Sequence, residues 1–519
     1  MPERFDYVVV GAGSAGCVLA NRLSADQSVT VALVEAGPRD RSLNIRIPPA
    51  FPKLFHSKYD WELSTTAQPE LKARELYWPR GKTLGGSSSL NAMMWVRGAK
   101  ADYDAWPAGW QYDDVLPYFQ RAENRVGSNR GDVYGTGGPL YIEELRDPNP
   151  LRAAFFDACD EQGFRRLDEL NDPSIDGYAP TPVTQRRGRR WSTADGYLRP
   201  VLRRPNLTLI TGGLVEKVAL TGNRAAGVVV NSRRGRRALT ATREVILSAG
   251  AVHSPQLLQL SGIGDPEVLG VASIETRVAS SGVGKGLQDH LSLPVIMFTK
   301  EPITLFGADK RPGELVKYLT QRRGQLTSNV GEAVLFGRSD PGLEHPDLEY
   351  IFAPVPFIEH GQVDPPGHGI TIGVVLLQPE STGTVTIRSA NASAAPDIDA
   401  GYLTGAADLA RMVAGVDQCR QLFESDALRG HVTEKMMPTP DETDIAEYVR
   451  AAAETLYHPT GTCRMGTDDR AVVDLDLRVR GVDGLRVADA SVIPQIIRGH
   501  THAPSVMIGE KAADLIRNG

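Results

Sequence analysis

Phe5-Asp6-Tyr7-Val8-Val9-Val10-Gly11-Ala12-Gly13-Ser14-Ala15-Gly16 is the stretch whose reading decides the fold. Its first half is a short apolar run rich in β-branched residues, the pattern of a strand buried on both faces. Its second half fits G-x-G-x-x-G. Cys17-Val18-Leu19-Ala20-Asn21-Arg22-Leu23-Ser24 follows with apolar residues at helical spacing. A second strand, Val29-Thr30-Val31-Ala32-Leu33-Val34, ends at Glu35, 19 residues past Gly16. Glycines in such a turn let the backbone approach a pyrophosphate, and the helix N-terminus faces its charge. An acid at this distance holds a ribose hydroxyl. A lone glycine motif says little; strand, turn, helix, strand and acid in this order say dinucleotide. NAD, NADP and FAD all fit at this point.

A chain of 519 residues exceeds what one hydrophobic core serves, so two domains are expected. With a net charge of −6, nothing favours nucleic acid as a partner. Cys17, Cys159, Cys419 and Cys463 are scattered and form no C-x-x-C pair. That speaks against a zinc site or a disulfide scaffold and suits a reducing compartment. Only Met1-Pro2-Glu3-Arg4 precedes the first strand, and no apolar run of ~18 residues occurs. A cytoplasmic protein without a transmembrane segment is the expectation, and no oligomeric interface is read from the sequence.

Beyond Glu35-Ala36 the periodicity breaks into a Pro-rich stretch at residues 47–52 and stays irregular past Trp61 and Trp78. So long a connection reads equally as a binding loop or a surface wrap. Arg80-Gly81-Lys82-Thr83-Leu84-Gly85-Gly86-Ser87-Ser88-Ser89-Leu90-Asn91 then sets glycines beside small hydroxyl residues, a backbone nest suited to a phosphate or ribityl chain. Helices are expected within residues 102–123 and 151–164, with glycine-rich turns at 127–138 between them. The two basic clusters, residues 186–190 and 233–237, read as solvated turns, the second closing a β-hairpin. Strand Glu244-Val245-Ile246-Leu247-Ser248 enters Ala249-Gly250 and another helix. Residues 291–400 alternate strand and turn, predicting a mostly antiparallel sheet, and residues 403–423 form a long helix.

The last 65 residues hold three histidines in motif-like settings: His458 in His458-Pro459-Thr460-Gly461-Thr462, and the pair in His500-Thr501-His502-Ala503-Pro504. Residues two apart on extended backbone point the same way, so His500 and His502 can face one site. H-x-H without a third ligand or a cysteine pair is a poor metal site, and none is expected. Imidazoles near a redox cofactor suit proton abstraction from a hydroxyl. Between the motifs, Leu485-Arg486-Val487-Ala488-Asp489-Ala490-Ser491 reads as a strand returning to the dinucleotide.

Nearly end to end, the chain resembles the glucose–methanol–choline (GMC) flavoprotein oxidoreductases. The resemblance rests on residues 11–16 with Glu35, the 81–91 loop, the signature at 250–264, Val283-Gly284…Leu287-Gln288-Asp289-His290, His458-Pro459, Asp489-Ala490-Ser491 and Ala503-Pro504. It implies an α/β fold: a Rossmann-like FAD domain of discontinuous segments (1–148, 190–290 and 457–519), and a substrate domain (149–189 and 291–456) with an antiparallel sheet and flanking helices. It implies FAD contacts at Gly11, Gly13, Ser14, Ala15, Gly16, Glu35 and Ala36. Further contacts fall on Arg80, Gly81, Thr83, Gly85, Gly86, Ser87, Asn91, Ala92, Met93 and Met94, then on Val215, Ala249, Gly250, Asp489, Ala490, His500 and Thr501.

The implied chemistry is oxidation of a small-molecule alcohol, hydride passing to flavin N5 and the hydroxyl proton to a histidine. Oxygen, a quinone or another carrier then reoxidises the flavin. His458 is similar to the family's base and His500 to its second catalytic position; His502 is the weaker catalytic candidate. The family also includes cyanohydrin lyases with non-redox FAD, the alternative reading. Two departures stand out. Leu90 occupies the place where some relatives attach FAD through histidine, so noncovalent FAD is expected. Gly286 replaces the usual asparagine in the Val283 motif.

Overall fold

β1 (Glu3–Val10), α1 (Ser14–Leu23) and β2 (Val31–Glu35) form the expected opening unit, with Val8 and Val9 inaccessible to solvent. The computed structural model describes residues 3–127 and 133–518, so part of the turn expected at 127–138 lies outside them. The second strand starts at Val31 because the Val29 amide still closes the turn after α1 on the Asp26 carbonyl. β3 (Leu207–Thr211), β4 (Gly213–Thr221), β5 (Arg224–Ser232) and β6 (Gly235–Leu247) complete the sheet in the order β3-β2-β1-β6-β5-β4. Leu485–Val487 adds a parallel strand beside β6. Arg233 and Arg234 turn the β5–β6 hairpin, while Gly235, Arg236 and Arg237 already pair in β6.

Five parallel strands thus point their carboxyl ends one way, delivering Gly11, Glu35, Ser248 and Asp489 to a common edge. This is where an open parallel sheet binds its ligand. α2 (Gly250–Leu260) leaves from the end of β6.

The second sheet runs β11-β7-β10-β9-β8, then Gly177–Pro180, all antiparallel. Its strands are β7 (Leu291–Thr299), β8 (Ala333–Gly337), β9 (Leu348–Ala353), β10 (Gly369–Leu376) and β11 (Val432–Met437). Side chains alternate across it. Leu348, Tyr350 and Phe352 join Ile370, Ile372 and Val374 in a core with Met412, Val416 and Cys419. Ile351, Ala353, Thr371, Gly373 and Val375 face a cavity instead. A short helix, α3 (Pro312–Gln321), precedes β8; α4 (Asp408–Glu424) begins five residues later than the expected helix, and α5 (His502–Asn518) closes the chain. The Pro-rich connection is a 3₁₀ segment, Pro48–Leu54, whose prolines fix φ but prevent a longer helix. Among the described residues, no helix is long and apolar enough to cross a membrane.

Candidate active site

One continuous cavity runs from the carboxyl edge of the parallel sheet to the second sheet. Gly11 sits at φ +99°, and a Cβ there would meet the Ser248 carbonyl oxygen at 2.4 Å. No side chain caps α1 at Gly13, so its first amides stay free for an anion. Glu35 accepts from the Ala12 amide at 2.9 Å and the Gly37 amide at 2.8 Å. Burial pushes its carboxyl up to about 7, against the pull of those two amides. The 81–91 loop lies on this turn: the Gly85 amide donates to the Ala12 carbonyl at 2.7 Å. A Cβ on Gly86 would come within 2.7 Å of Gly13 Cα, so only glycine lets the two loops touch.

Of the expected cofactor contacts, Gly11, Gly13, Ser14, Ala15, Glu35, Ala36, Arg80, Gly81, Gly86, Ser87, Asn91, Ala92, Met94, Val215, Ala249, Gly250, Asp489, Ala490, His500 and Thr501 line the cavity. Gly16, Thr83, Gly85 and Met93 stand behind it. Gly16 packs on the Gly11 carbonyl, and Thr83 donates to the Pro38 carbonyl. Gly85 is tied to Ala12, while the Met93 carbonyl pairs with the Thr184 amide. Asp489 accepts from the Gly250 amide and the Ser254 hydroxyl, pinning the start of α2 to the cavity wall. The N-termini of α1, α2 and α5 therefore all open on the cavity, which suits a ligand carrying negative charge along its length. A glycine cradle, an uncapped helix and a buried acid at one end fit the dinucleotide half of FAD.

At the other end, the rings of His458 and His500 are 4.8 Å apart, centroid to centroid. His458 Nδ1 lies 2.9 Å from Nδ1 of His290, whose Nε2 lies 3.1 Å from the Leu377 carbonyl oxygen. The Leu377 contact selects one pair of tautomers. A carbonyl only accepts, so His290 carries its proton on Nε2 and offers Nδ1 as acceptor. His458 must then donate from Nδ1, leaving Nε2 as an unprotonated lone pair on the cavity side. Asp289 fixes the same residue by accepting from the His458 amide at 2.6 Å, and also accepts from the Thr455 and Tyr402 hydroxyls. Burial holds His458 well below the usual histidine range, helped by charge on His500, His290 and Arg80. His290 is pushed down to about 3, mainly by burial.

His500 has a different partner. Its Nε2 lies 2.9 Å from Oε1 of Glu349, a fully buried acid on β9. On extended backbone His500 and His502 would share a direction, but α5 begins at His502 and breaks the alternation. His502 Nδ1 meets Ser14 Oγ at 3.0 Å on the dinucleotide loop, and its Nε2 is buried without a protein partner. His502 lines the same cavity as His500.

His290 and Glu349 were not singled out by sequence. His290 stands in a recognisable motif, but its contact with His458 spans 168 residues. Glu349, an acid between Leu348 and Tyr350 on an apolar strand, was the visible anomaly. His253 packs on Trp61 with the rings tilted and their centroids 4.1 Å apart, half-buried in the wall of the cavity.

A GMC oxidoreductase family model matches residues 5–292, and a second matches residues 379–509. The chain is 52% identical over 531 aligned residues to an uncharacterised GMC-type oxidoreductase of Mycobacterium tuberculosis, covering 100% of both chains. It is 40% identical to an alcohol dehydrogenase [acceptor] of Pseudomonas putida, covering 99% of this chain and 95% of that one. Among solved structures, pyridoxine 4-oxidase from Mesorbium loti superposes with a TM-score of 0.91 at 32% identity, 99% of each chain covered. These names are dehydrogenase and oxidase names and lend the lyase alternative no support. Matched by family models at both ends and by relatives over its whole length, the chain belongs to the GMC oxidoreductase family.

Proposed function

We propose that the chain oxidises an apolar alcohol to an aldehyde or ketone, using noncovalently held FAD and His458 as the base. FAD supplies the two-electron acceptor. The observation that carries the proton step is the chain Leu377 carbonyl, His290, His458, which leaves His458 Nε2 as an acceptor beside the cavity. A neutral imidazole is the form able to take a hydroxyl proton, and burial keeps it neutral at physiological pH. His500 supports the oxygen from the other side. Its Nε2 is held by the buried Glu349 side chain, which fixes the ring. Nδ1 is thereby left for the alcohol oxygen.

Segments 1–148, 190–290 and 457–519 serve the cofactor in this reading; 149–189 and 291–456 cover the substrate. The wall over the histidines is apolar, with Phe51, Phe55, Val330, Ile351, Ala353 and Phe357. That favours an alcohol with a hydrocarbon or aromatic body over a polyol, whose hydroxyls would lose their water uncompensated. Leu90 offers no nucleophile to the cofactor, so acid precipitation should release the flavin. The test is an anaerobic screen of alcohols for bleaching of the bound flavin, then reoxidation by air against artificial quinone acceptors. Bleaching by hydrophobic primary or benzylic alcohols supports the proposal; aldehyde release from cyanohydrins without bleaching by any alcohol refutes it.

A further inference from the structure

The large apolar side chains left open to solvent are concentrated on one face. Leu315, Val316 and Leu319 of α3 are 40%, 59% and 55% exposed, Leu43 68% and Val363 40%. Only Val126 and Val271, among the described residues, are comparable elsewhere. α3 is anchored from one side alone: Tyr318 packs with Ala308, Leu326 and Ile47, and its hydroxyl donates to the Arg46 carbonyl. Three segments are stitched into this face. Lys53 pairs with Asp309 at 2.6 Å, Lys310 with Asp364 at 3.6 Å, and Gln362 donates to the Pro52 carbonyl at 2.7 Å.

The charge around these apolar groups opposes that of the molecule. Residues 307–324 carry five Lys and Arg against two acids, and residues 39–58 five against one, in a chain of net charge −6. The acids of the third segment are Glu359 and Asp364, the latter already held by Lys310. Exposed leucine and valine side chains ringed by lysine and arginine match an anionic lipid surface, where apolar groups enter the headgroup layer and cations stay among phosphates. The face is also continuous with the cavity. Pro48–Leu54, which carries the cavity-lining Phe51, and the segment after Phe357 form part of it.

We propose that this face docks the enzyme peripherally on an anionic lipid bilayer, holding the substrate side of the cavity against the membrane. An apolar alcohol or a lipid-soluble acceptor could then exchange with the bilayer rather than with water.

The experiment is sedimentation of the FAD-loaded full chain with phosphatidylcholine vesicles, with and without about one quarter phosphatidylglycerol. Binding is expected to the anionic vesicles and to weaken with added salt. The combined variant Leu315→Ser, Val316→Ser, Leu319→Ser should bind on the order of tenfold less while keeping its flavin absorbance and its rate of flavin reduction. Lys310→Glu with Lys317→Glu should reduce binding to anionic vesicles alone. No binding to anionic vesicles, or equal binding by the serine variant, overturns the proposal. So does a wild-type dimer in solution that the serine variant dissociates, since the face would then belong to a second copy.

Discussion

His458 and His500 meet edge to face on the wall of one cavity, yet their far nitrogens meet opposite chemistry. Behind His458 stands a neutral histidine, itself anchored to a backbone carbonyl. Behind His500 stands a buried carboxylate. The first arrangement orients an imidazole without offering it a counter-charge, so adding a proton is costly until the substrate delivers one. The second holds its ring by a buried acid instead. In the proposed reaction the first ring takes the proton and the second steadies the oxygen.

The largest effect follows loss of the acceptor. His458→Ala should keep its yellow FAD but reduce it on the order of 10²-fold more slowly, about 2.7 kcal/mol of barrier, as read by anaerobic stopped-flow. Next comes the paired histidine. His500→Ala should cost on the order of tenfold to 10²-fold. Glu349→Gln should cost about tenfold, since the amide keeps a hydrogen bond but removes the counter-charge. Equal losses at Glu349 and His458 would erase the distinction between the two.

A smaller effect is expected behind the base. His290→Leu removes the acceptor that fixes the His458 tautomer and should slow reduction about tenfold, while His290→Gln, whose carbonyl oxygen can take the same proton, should recover most of it. If both variants behave alike, His290 fills space and does not select a tautomer.

The smallest effect lies at the far end. Glu35 is pushed up to about 7 by burial, and a ribose hydroxyl donating to it favours the ionised form. FAD binding therefore lowers its pKa, and affinity should be full above pH 7 and fall by at most about tenfold per unit below it. Titration of the apoprotein with FAD between pH 5.5 and 8, roughly one unit or more either side of 7, reads this directly. Glu35→Gln should flatten the dependence.

The dinucleotide half was legible because its signals are local. Residues 5–35 carry strand, turn, helix, strand and acid in one stretch, and the structure places them as read, within two or three residues. The reacting half was legible only in part. His458 and His500 sit in short motifs, but what distinguishes them comes from residues far along the chain. His290 reaches His458 across 168 residues and Glu349 reaches His500 across 151. No local pattern encodes such contacts. His500 and His502 do line one cavity, but the start of α5 at His502 sets the second ring against Ser14 rather than beside His458. The exposed face of α3 was invisible for the same reason: Leu315, Val316 and Leu319 look like core residues until the fold leaves them uncovered.

The central claim, that a buried neutral His458 accepts the alcohol proton, is tested most directly by the pH dependence of flavin reduction at low alcohol concentration under anaerobic conditions. Burial depresses the His458 pKa, so the neutral form persists below the ordinary histidine value of about 6.5. The rate should hold steady as pH falls through 6.5 and decline only at more acid pH. A rate that rises on acidification, or is already lost at or above 6.5, would contradict it.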